Sequence, residues 1–237
     1  MPNTYFQFKQ FKVEQDKCAM KVTTDACLFG AWVADWLQTN RITVNRIADA
    51  GAGTGLLSLL LAQKTEACID AFELDASAAK QCGENFAASL WKKRLNVFNN
   101  SVHTLTEQVY DLTIANPPFF VNHLESDDTA RNKALHIHNN ELKEWIDSLH
   151  RITLPKGYIA LLLPPKEVSE VIKQMQICNR QLQHTVVIQH AASLPVLRYI
   201  LLFGNVTTKD TTTIAIKDSN NYSKEFIELL KDYYLYL

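Results

Sequence analysis

After Arg46, apolar runs of four to six residues alternate with segments of helical periodicity, an order that few folds accept. Strands alternating with helices form a parallel sheet covered by helices on both faces. The predicted strands are residues 47–50, 68–73, 96–99, 111–115 and 158–163, and the predicted helices are residues 56–63, 76–90, 140–151 and 166–176. We therefore expect an α/β domain over residues 46–237, preceded by a short extension over residues 1–45.

Several segments outside this alternation carry weaker signals. Residues 184–189 and 198–203 are β-rich and predict a partly antiparallel edge of the sheet, with residues 211–216 as a further strand. Pro155 and Gly157 predict a turn before the fifth strand, and residues 222–237 predict a C-terminal helix. In the extension, residues 6–13 predict short β structure and residues 25–37 a helix, which together would form a lid or flap beside a pocket.

Composition excludes several classes of protein. The chain has 237 residues, 47% hydrophobic and 21% charged, with a formal net charge of −1, so it can bury a full core. No apolar run approaches the roughly 20 residues of a membrane span, and no export signal is visible, so we expect a cytoplasmic protein with no membrane partner. Five cysteines without a CxxC pair predict neither disulfides nor a metal site.

A glycine-rich loop follows the first predicted strand, in the run Asp49-Ala-Gly51-Ala-Gly53-Thr-Gly55. Glycines at a strand-to-helix turn let the backbone approach a ligand closely. A dinucleotide loop would place its third glycine one residue later, which disfavours NAD. Asp49 would repel a pyrophosphate and attract a cation, so the loop favours S-adenosylmethionine (SAM) as the cofactor.

An acidic residue follows the loop at the end of the second predicted strand. Glu73 lies 22 residues after Gly51, the spacing at which a carboxylate accepts the hydroxyls of an adenosine ribose. Taken alone, Glu73 is equally well explained as a helix cap or a solvated acid, but behind this loop we predict ribose binding. Asp75 is instead predicted to cap the next helix.

The fourth predicted strand ends in the motif Asn116-Pro117-Pro118-Phe119. Ligands bind at the carboxyl ends of strands in open α/β sheets, so this motif faces the same crevice as the glycine loop. The prolines restrict Asn116 to an extended conformation. We expect the Asn116 carboxamide oxygen and the Pro117 carbonyl to accept the two N–H bonds of a planar amine, with Phe119 stacked on the substrate. This would turn the nitrogen lone pair toward a methyl donor without a strong general base.

Three N-terminal runs carry a more specific resemblance. Residues 6–11 (Phe-Gln-Phe-Lys-Gln-Phe), 18–25 (Cys-Ala-Met-Lys-Val-Thr-Thr-Asp) and 28–32 (Leu-Phe-Gly-Ala-Trp) are similar to the bacterial tRNA(Val) adenine methyltransferases, over residues 5 to about 205. The resemblance implies a Rossmann-like class I methyltransferase with a mostly parallel, seven-stranded sheet and an antiparallel edge strand. It further implies that the protein uses SAM to methylate the N6 amine of the adenosine 3′ of the anticodon in valine tRNA. Separately, we expect a monomer.

Carried over position by position, the resemblance places three residues of the extension, Lys21, Thr24 and Asp25, beside the cofactor and substrate pocket. It also continues the catalytic loop through Phe120 and Val121. The chain departs from the family pattern at Thr23 and Leu135, and at the acid expected near the cofactor adenine, where Asn100 or Ser101 stands.

Alternative functions stay open at this point. A net charge of −1 leaves no global footprint for RNA, although lysines and arginines cluster at residues 9–21, 92–94 and 131–133. Phe6, Phe8 and Phe11 are equally compatible with base stacking and with a core role. The same Asn-Pro-Pro-aromatic motif serves protein glutamine methyltransferases and guanine methyltransferases of ribosomal RNA. The intact Asn116 argues against a catalytically silent RNA-binding module.

Overall fold

A computed structural model describes residues 3–18, 20–117 and 128–237, and for residues 128–139 the backbone alone. The strands are β1 (Tyr5–Gln7), β2 (Lys12–Glu14), β3 (Arg46–Ala50), β4 (Cys68–Phe72), β5 (Leu95–Phe98), β6 (Tyr110–Ala115), β7 (Thr153–Leu163), β8 (Gln181–Ala191), β9 (Val196–Gly204), β10 (Asp210–Asp218) and β11 (Asn221–Tyr222). The helices are α1 (Thr24–Thr39), α2 (Leu56–Ala62), α3 (Ala76–Ala88), α4 (Asp128–Ile152), α5 (Val168–Ile177) and α6 (Lys224–Leu230).

Nine of these strands form one mixed sheet in the order β11-β10-β8-β9-β7-β6-β3-β4-β5. Within the run β5-β4-β3-β6-β7 every pairing is parallel. By contrast, β9 runs antiparallel to both β7 and β8, and β11 closes the far edge antiparallel to β10. The predicted parallel α/β fold and its antiparallel side are confirmed, and β10 and β11 lengthen the seven-stranded sheet by two. The order reverses between β3 and β6, which is where open sheets bind ligands.

A separate hydrophobic core covers each face of the sheet. Buried side chains of α1, α2 and α6 fill one face, and those of α4 and α5 fill the other. The strands between them are apolar on both sides, as a sheet covered twice requires. No helix within the described residues is both long enough and apolar enough to span a bilayer.

The extension is part of the first core. Phe8 and Phe11 are buried and stack on each other with ring centroids 4.4 Å apart, so the structure favours the core role over base stacking for both rings. The backbone of Lys9 donates to the carbonyl of Tyr233 at 2.8 Å, which ties the N-terminal segment to the chain's C-terminal end. Helix α1, predicted over residues 25–37, packs on α2 across the close approach at Gly30.

In place of the predicted turn at Pro155 and Gly157, β7 has an irregular start, where the pairing with β6 passes from Tyr110↔Thr153 to Leu112↔Tyr158. Helix α4 runs directly into β7, which already begins at Thr153 and contains both residues. A side chain distant in sequence satisfies this irregular stretch. The buried guanidinium of Arg180 donates to the carbonyls of Thr153, Leu154 and Gly157 at 2.8 to 3.0 Å, so these acceptors have partners although the register with β6 is broken here.

The predicted helix over residues 222–237 is also wrong in extent. Tyr222 belongs to β11. The hydroxyl of Ser223 accepts from the amide of Phe226 and so caps α6, which begins at Lys224. The helix ends at Leu230, after which Tyr233 and Tyr234 pack against the N-terminal segment. The chain after Leu230 therefore continues into the core without further helix.

Candidate active site

The glycine loop between β3 and α2 depends on backbone conformations that other residues rarely adopt. Gly51, Gly53 and Gly55 have φ angles of +77°, +54° and +80°, in the left-handed region that favours glycine. A Cβ at Gly51 or Gly53 would meet no atom within 4 Å, so this side of the loop faces open space. A Cβ at Gly55 would lie 2.5 Å from the Phe86 ring, so that glycine serves the packing of the loop on α3.

Asp49 lies at the end of β3, completely buried beneath the loop. Its Oδ2 accepts from the Ser58 amide at 3.1 Å and from the Ser58 hydroxyl at 2.7 Å, whereas Oδ1 has no hydrogen-bond partner among the described residues. Burial raises the pKa of the Asp49 carboxyl to about 6, although the Ser58 hydrogen bonds oppose that shift. A buried carboxylate with one free oxygen is a ready acceptor for a cationic ligand.

Glu73 follows β4, the strand beside β3. Its Oε2 accepts from the Gly53 amide at 2.8 Å, and its Oε1 accepts from the Asp75 amide at 2.9 Å. Each carboxylate oxygen has two lone-pair positions, so both keep one acceptor site for a ligand hydroxyl. Asp75 caps α3 as predicted, because its side chain accepts from the Ala78 amide at 2.8 Å.

These elements surround a cleft of about 650 Å³ at the carboxyl ends of β3 to β6. Five of the predicted site residues line it, namely Gly51, Gly53, Glu73, Asn100 and Pro117. Asn100 is exposed, and its side-chain oxygen accepts from the amide of Ser101, which also lines the cleft. A volume of this size is typical of a small-molecule site.

Other residues that line the cleft were not predicted from the sequence. Apolar contacts come from Phe72, Leu74 and Val102, and α4 contributes Glu141, Glu144 and Trp145. The sequence signal for Leu74 is its position directly after Glu73, and in the structure it is 73% exposed. The α4 residues carry no such signal, because only the folded sheet brings that helix to the cleft.

Asn116 and Pro117 begin the predicted catalytic motif. Ile114 pairs with Asp49 in the sheet register, so Asn116, two residues later, lies beside the start of the glycine loop. Its carboxamide oxygen is buried and has no hydrogen-bond partner among the described residues. Pro118, Phe119, Phe120 and Val121 lie outside the described residues, as do the side chains of residues 128–139, which include Leu135 and the basic pair of residues 131 and 133.

The extension contributes three lining residues that differ from those predicted. Lys17, Cys18 and Met20 line the cleft, whereas Lys21, Thr24 and Asp25 contribute no part of the described wall. Lys21 is exposed, with its ammonium 3.4 Å from the Asn3 carbonyl. Asp25 pairs instead with Arg198 of β9, Oδ2 to Nε at 3.3 Å. Whether Lys21, Thr24 and Asp25 contact substrate stays a prediction.

The residues present fit SAM. Asp49 lies beneath the loop and outside the cleft lining, so its negative charge would attract the charged methionine part of the cofactor from below the loop. The two outward acceptor positions of Glu73 suit the two ribose hydroxyls. The open side of Gly51 and Gly53 leaves room for direct backbone contact. Leu74 and Val102 offer apolar surface for an adenine ring.

Solved structures share this fold. A predicted O-methyltransferase from Agrobacterium tumefaciens has a TM-score of 0.66 at 18% identity, over 88% of this chain and 96% of its own. The magnesium protoporphyrin IX methyltransferase of Synechocystis PCC 6803, solved with bound SAM, has a TM-score of 0.58 at 17% identity, over 77% of this chain and 80% of its own. A family model described as methyltransferase small domain matches residues 31–144.

Fold and cleft together define a class I SAM-dependent methyltransferase. Sequence similarity narrows the class further. Proteins named tRNA1(Val) (adenine(37)-N6)-methyltransferase are 38% identical in Dyadobacter fermentans, over 98% of both chains, and 37% identical in Cytophaga hutchinsonii, over 100% of both. This chain therefore belongs to the tRNA1(Val) (adenine(37)-N6)-methyltransferase family, and the similarity extends past the predicted limit near residue 205.

Proposed function

We propose that this protein transfers a methyl group from SAM to the N6 amine of adenosine 37 in valine tRNA. The observation that carries the proposal is the position of Asn116, whose buried, unpartnered carboxamide oxygen lies beside the glycine loop. The full-length similarity to proteins named for this reaction supports the choice of substrate.

In this mechanism the chain binds and orients the two reactants. SAM supplies a methyl group bonded to a positively charged sulfur, which is reactive without further activation. Asn116 Oδ1 and the Pro117 carbonyl would each accept one N–H of the adenine amine, which would leave its lone pair free to face the methyl donor. As the N–CH3 bond forms, the S–CH3 electron pair would stay on sulfur, and the proton lost by N6 would pass to water. Such orientation can contribute roughly 7 to 11 kcal/mol to lowering the barrier. Pro118 would keep the motif rigid, and Phe119 would stack on the adenine ring.

The cofactor is held by residues of three strand ends. Asp49, Gly51 and Gly53 would bind the methionine part, and Glu73 would bind the ribose. Asn100 would contact the adenine of the cofactor through its side-chain amide, at a position where the family usually has an acidic residue. The extension over residues 1–45 would add part of the pocket wall, since Lys17, Cys18 and Met20 already line the cleft.

The substrate is expected to enter as an unpaired base. A base in a loop is extruded at lower cost than a paired one, which suits an adenosine next to the anticodon. We propose that the reaction uses no metal ion, because the displacement requires orientation of the amine rather than activation of a water molecule. We further propose that the protein acts as a cytoplasmic monomer.

A transfer assay tests this function directly. Purified protein is incubated with SAM carrying a labelled methyl group and unmodified valine tRNA, and the digested nucleosides are analysed by mass spectrometry. We expect label in N6-methyladenosine, and no label when adenosine 37 is replaced by guanosine. Label in ribosomal RNA as N2-methylguanosine, or in a glutamine of a release factor, would instead support one of the two alternative activities.

A further inference from the structure

Two buried side-chain amides on α3 contact the part of the extension that lines the cofactor cleft. Gln81 and Asn85 are each 2% exposed, and their i, i+4 spacing places them on one face of the helix. Residues 14–18, which we call the strap, run across that face. Buried polar groups carry a cost unless they are hydrogen-bonded, so the partners of these amides indicate what they hold.

Asn85 joins the strap to the glycine loop. Its Oδ1 accepts from the Glu14 amide at 2.9 Å, and its Nδ2 donates to the Glu14 carbonyl at 3.0 Å, as a neighbouring strand would do. The same Nδ2 donates to the carbonyl of Thr54 at 2.9 Å. One side chain thus fixes a residue between Gly53 and Gly55 relative to the start of the strap.

Gln81 fixes the middle of the strap. Its Oε1 accepts from the Lys17 amide at 3.0 Å, and its Nε2 donates to Asp16 Oδ1 at 2.5 Å. Lys17 and Cys18 are the first strap residues that line the cleft, and Met20 follows. Gln81 therefore holds the backbone at the point where the strap becomes cleft wall.

We propose that Gln81 and Asn85 are positioning residues for the methyl-transfer reaction, which hold residues 14–18 as the outer wall of the SAM site and couple that wall to the glycine loop. Neither side chain lines the cleft, so both act through the backbone they hold. The inference rests on the proposed use of SAM and is independent of which RNA is methylated.

The coupling predicts a specific kinetic signature. Loss of one hydrogen bond changes an equilibrium constant by roughly a factor of ten. Gln81→Met should therefore raise the Kd and KM for SAM about five- to twentyfold. Asn85→Leu should raise both further, because it leaves three backbone groups without their partner. The kcat at saturating SAM should change less than twofold in Gln81→Met, since the adenine-orienting groups are untouched.

Calorimetric titration with SAM alone, in the full-length protein, tests this without RNA. Asn96→Leu is the matched control, because its amide donates to Asp70 Oδ1 at 2.9 Å, on the edge of the sheet away from the carboxyl ends. We expect that control to bind SAM normally. A wild-type Kd in Gln81→Met, or a loss confined to kcat, would overturn the proposal. Failure of the wild-type protein itself to bind SAM would instead contradict the proposed function.

Hydrogen exchange of the wild-type protein gives a second test that needs no variant. The amides of Glu14 and Lys17 donate to Asn85 and Gln81, and a strap that closes the SAM site should become more protected when SAM binds. We expect their exchange to slow at least about fivefold with saturating SAM. Unchanged exchange at both amides would overturn the proposal even if Asn85→Leu failed to fold.

Discussion

The amide of Gly53 donates to Glu73 Oε2 across 2.8 Å, so the glycine loop and the end of β4 are fixed to each other before any ligand binds. The second oxygen of Glu73 is held in the same way by the amide of Asp75. A carboxylate held at both oxygens cannot rotate, and its outward lone pairs keep fixed directions. Glu73 is therefore preorganised to accept two hydroxyls.

Replacing Glu73 by Ala should weaken SAM binding strongly. Two charge-assisted hydrogen bonds to the ribose would be lost, each of about 1.5 to 3 kcal/mol, and the loop would lose its anchor at Gly53. We expect the Kd for SAM, measured by calorimetry, to rise at least about 100-fold. Glu84→Ala removes an exposed carboxylate from the same neighbourhood of the chain and should bind as the parent does. An unchanged Kd in Glu73→Ala would contradict the ribose assignment.

Replacing Asn116 by Ala should separate binding from chemistry. The substitution removes one of the two groups that orient the amine, and the loss of one oriented polar group commonly costs 10² to 10³ in rate. We expect kcat with valine tRNA to fall about 10³-fold while the Kd for SAM stays within about twofold. Asn40→Ala, at the exposed end of α1, is the control. Near-normal turnover in Asn116→Ala would rule out the mechanism.

The raised pKa of Asp49, about 6, predicts a pH dependence of cofactor affinity. A cationic ligand favours the ionised carboxylate, so affinity is nearly full at pH 7 and above and falls as the carboxyl is protonated through pH 6. From pH 7 to pH 5 we expect the Kd for SAM to rise about tenfold. Asp49→Asn should bind weakly at both pH values and show a flat profile. A parent protein whose Kd is constant over this range would contradict contact between Asp49 and the cofactor.

The parts of the site that sequence predicted are those carried by a single short segment. The glycine loop, Glu73 and the Asp75 cap were predictable because strand-to-helix turns impose local rules on glycine and acidic residues. Their meeting in one cleft followed from the parallel order of the strands. These elements were found where the alternation predicted them.

What sequence missed depends on contacts between distant segments. Lys17, Cys18 and Met20 reach the cleft because Gln81 and Asn85 hold the strap, and neither amide stands out in an otherwise ordinary helix. The same holds for the C-terminal end of the chain. The helical spacing of Phe226, Leu229, Leu230 and Tyr233 predicted a continuous helix, but Tyr233 and Tyr234 pack on the N-terminal segment instead.

Arg180 is the clearest case of a distant residue that determines local structure. Its side chain is almost completely buried and donates to the carbonyls of Thr153, Leu154 and Gly157, and through Nε to His150 Nδ1 at 3.1 Å. Among the described residues it forms no ion pair with a carboxylate. The guanidinium thus satisfies the acceptors at the junction of α4 and β7, close to the negative end of the helix dipole.

Replacing Arg180 by Met should therefore destabilise the fold with little direct effect on the cleft. Several buried carbonyls would lose a charged donor at once, which we expect to lower the free energy of unfolding by roughly 3 kcal/mol or more in urea denaturation. Arg180→Lys should recover only part of this loss, because one ammonium cannot reach carbonyls spread over residues 153–157 as a planar five-donor group does. Lys156→Met, an exposed change on the same stretch of β7, should be nearly neutral. Equal stabilities for Arg180→Met and Lys156→Met would show that the junction is held by packing and not by the guanidinium.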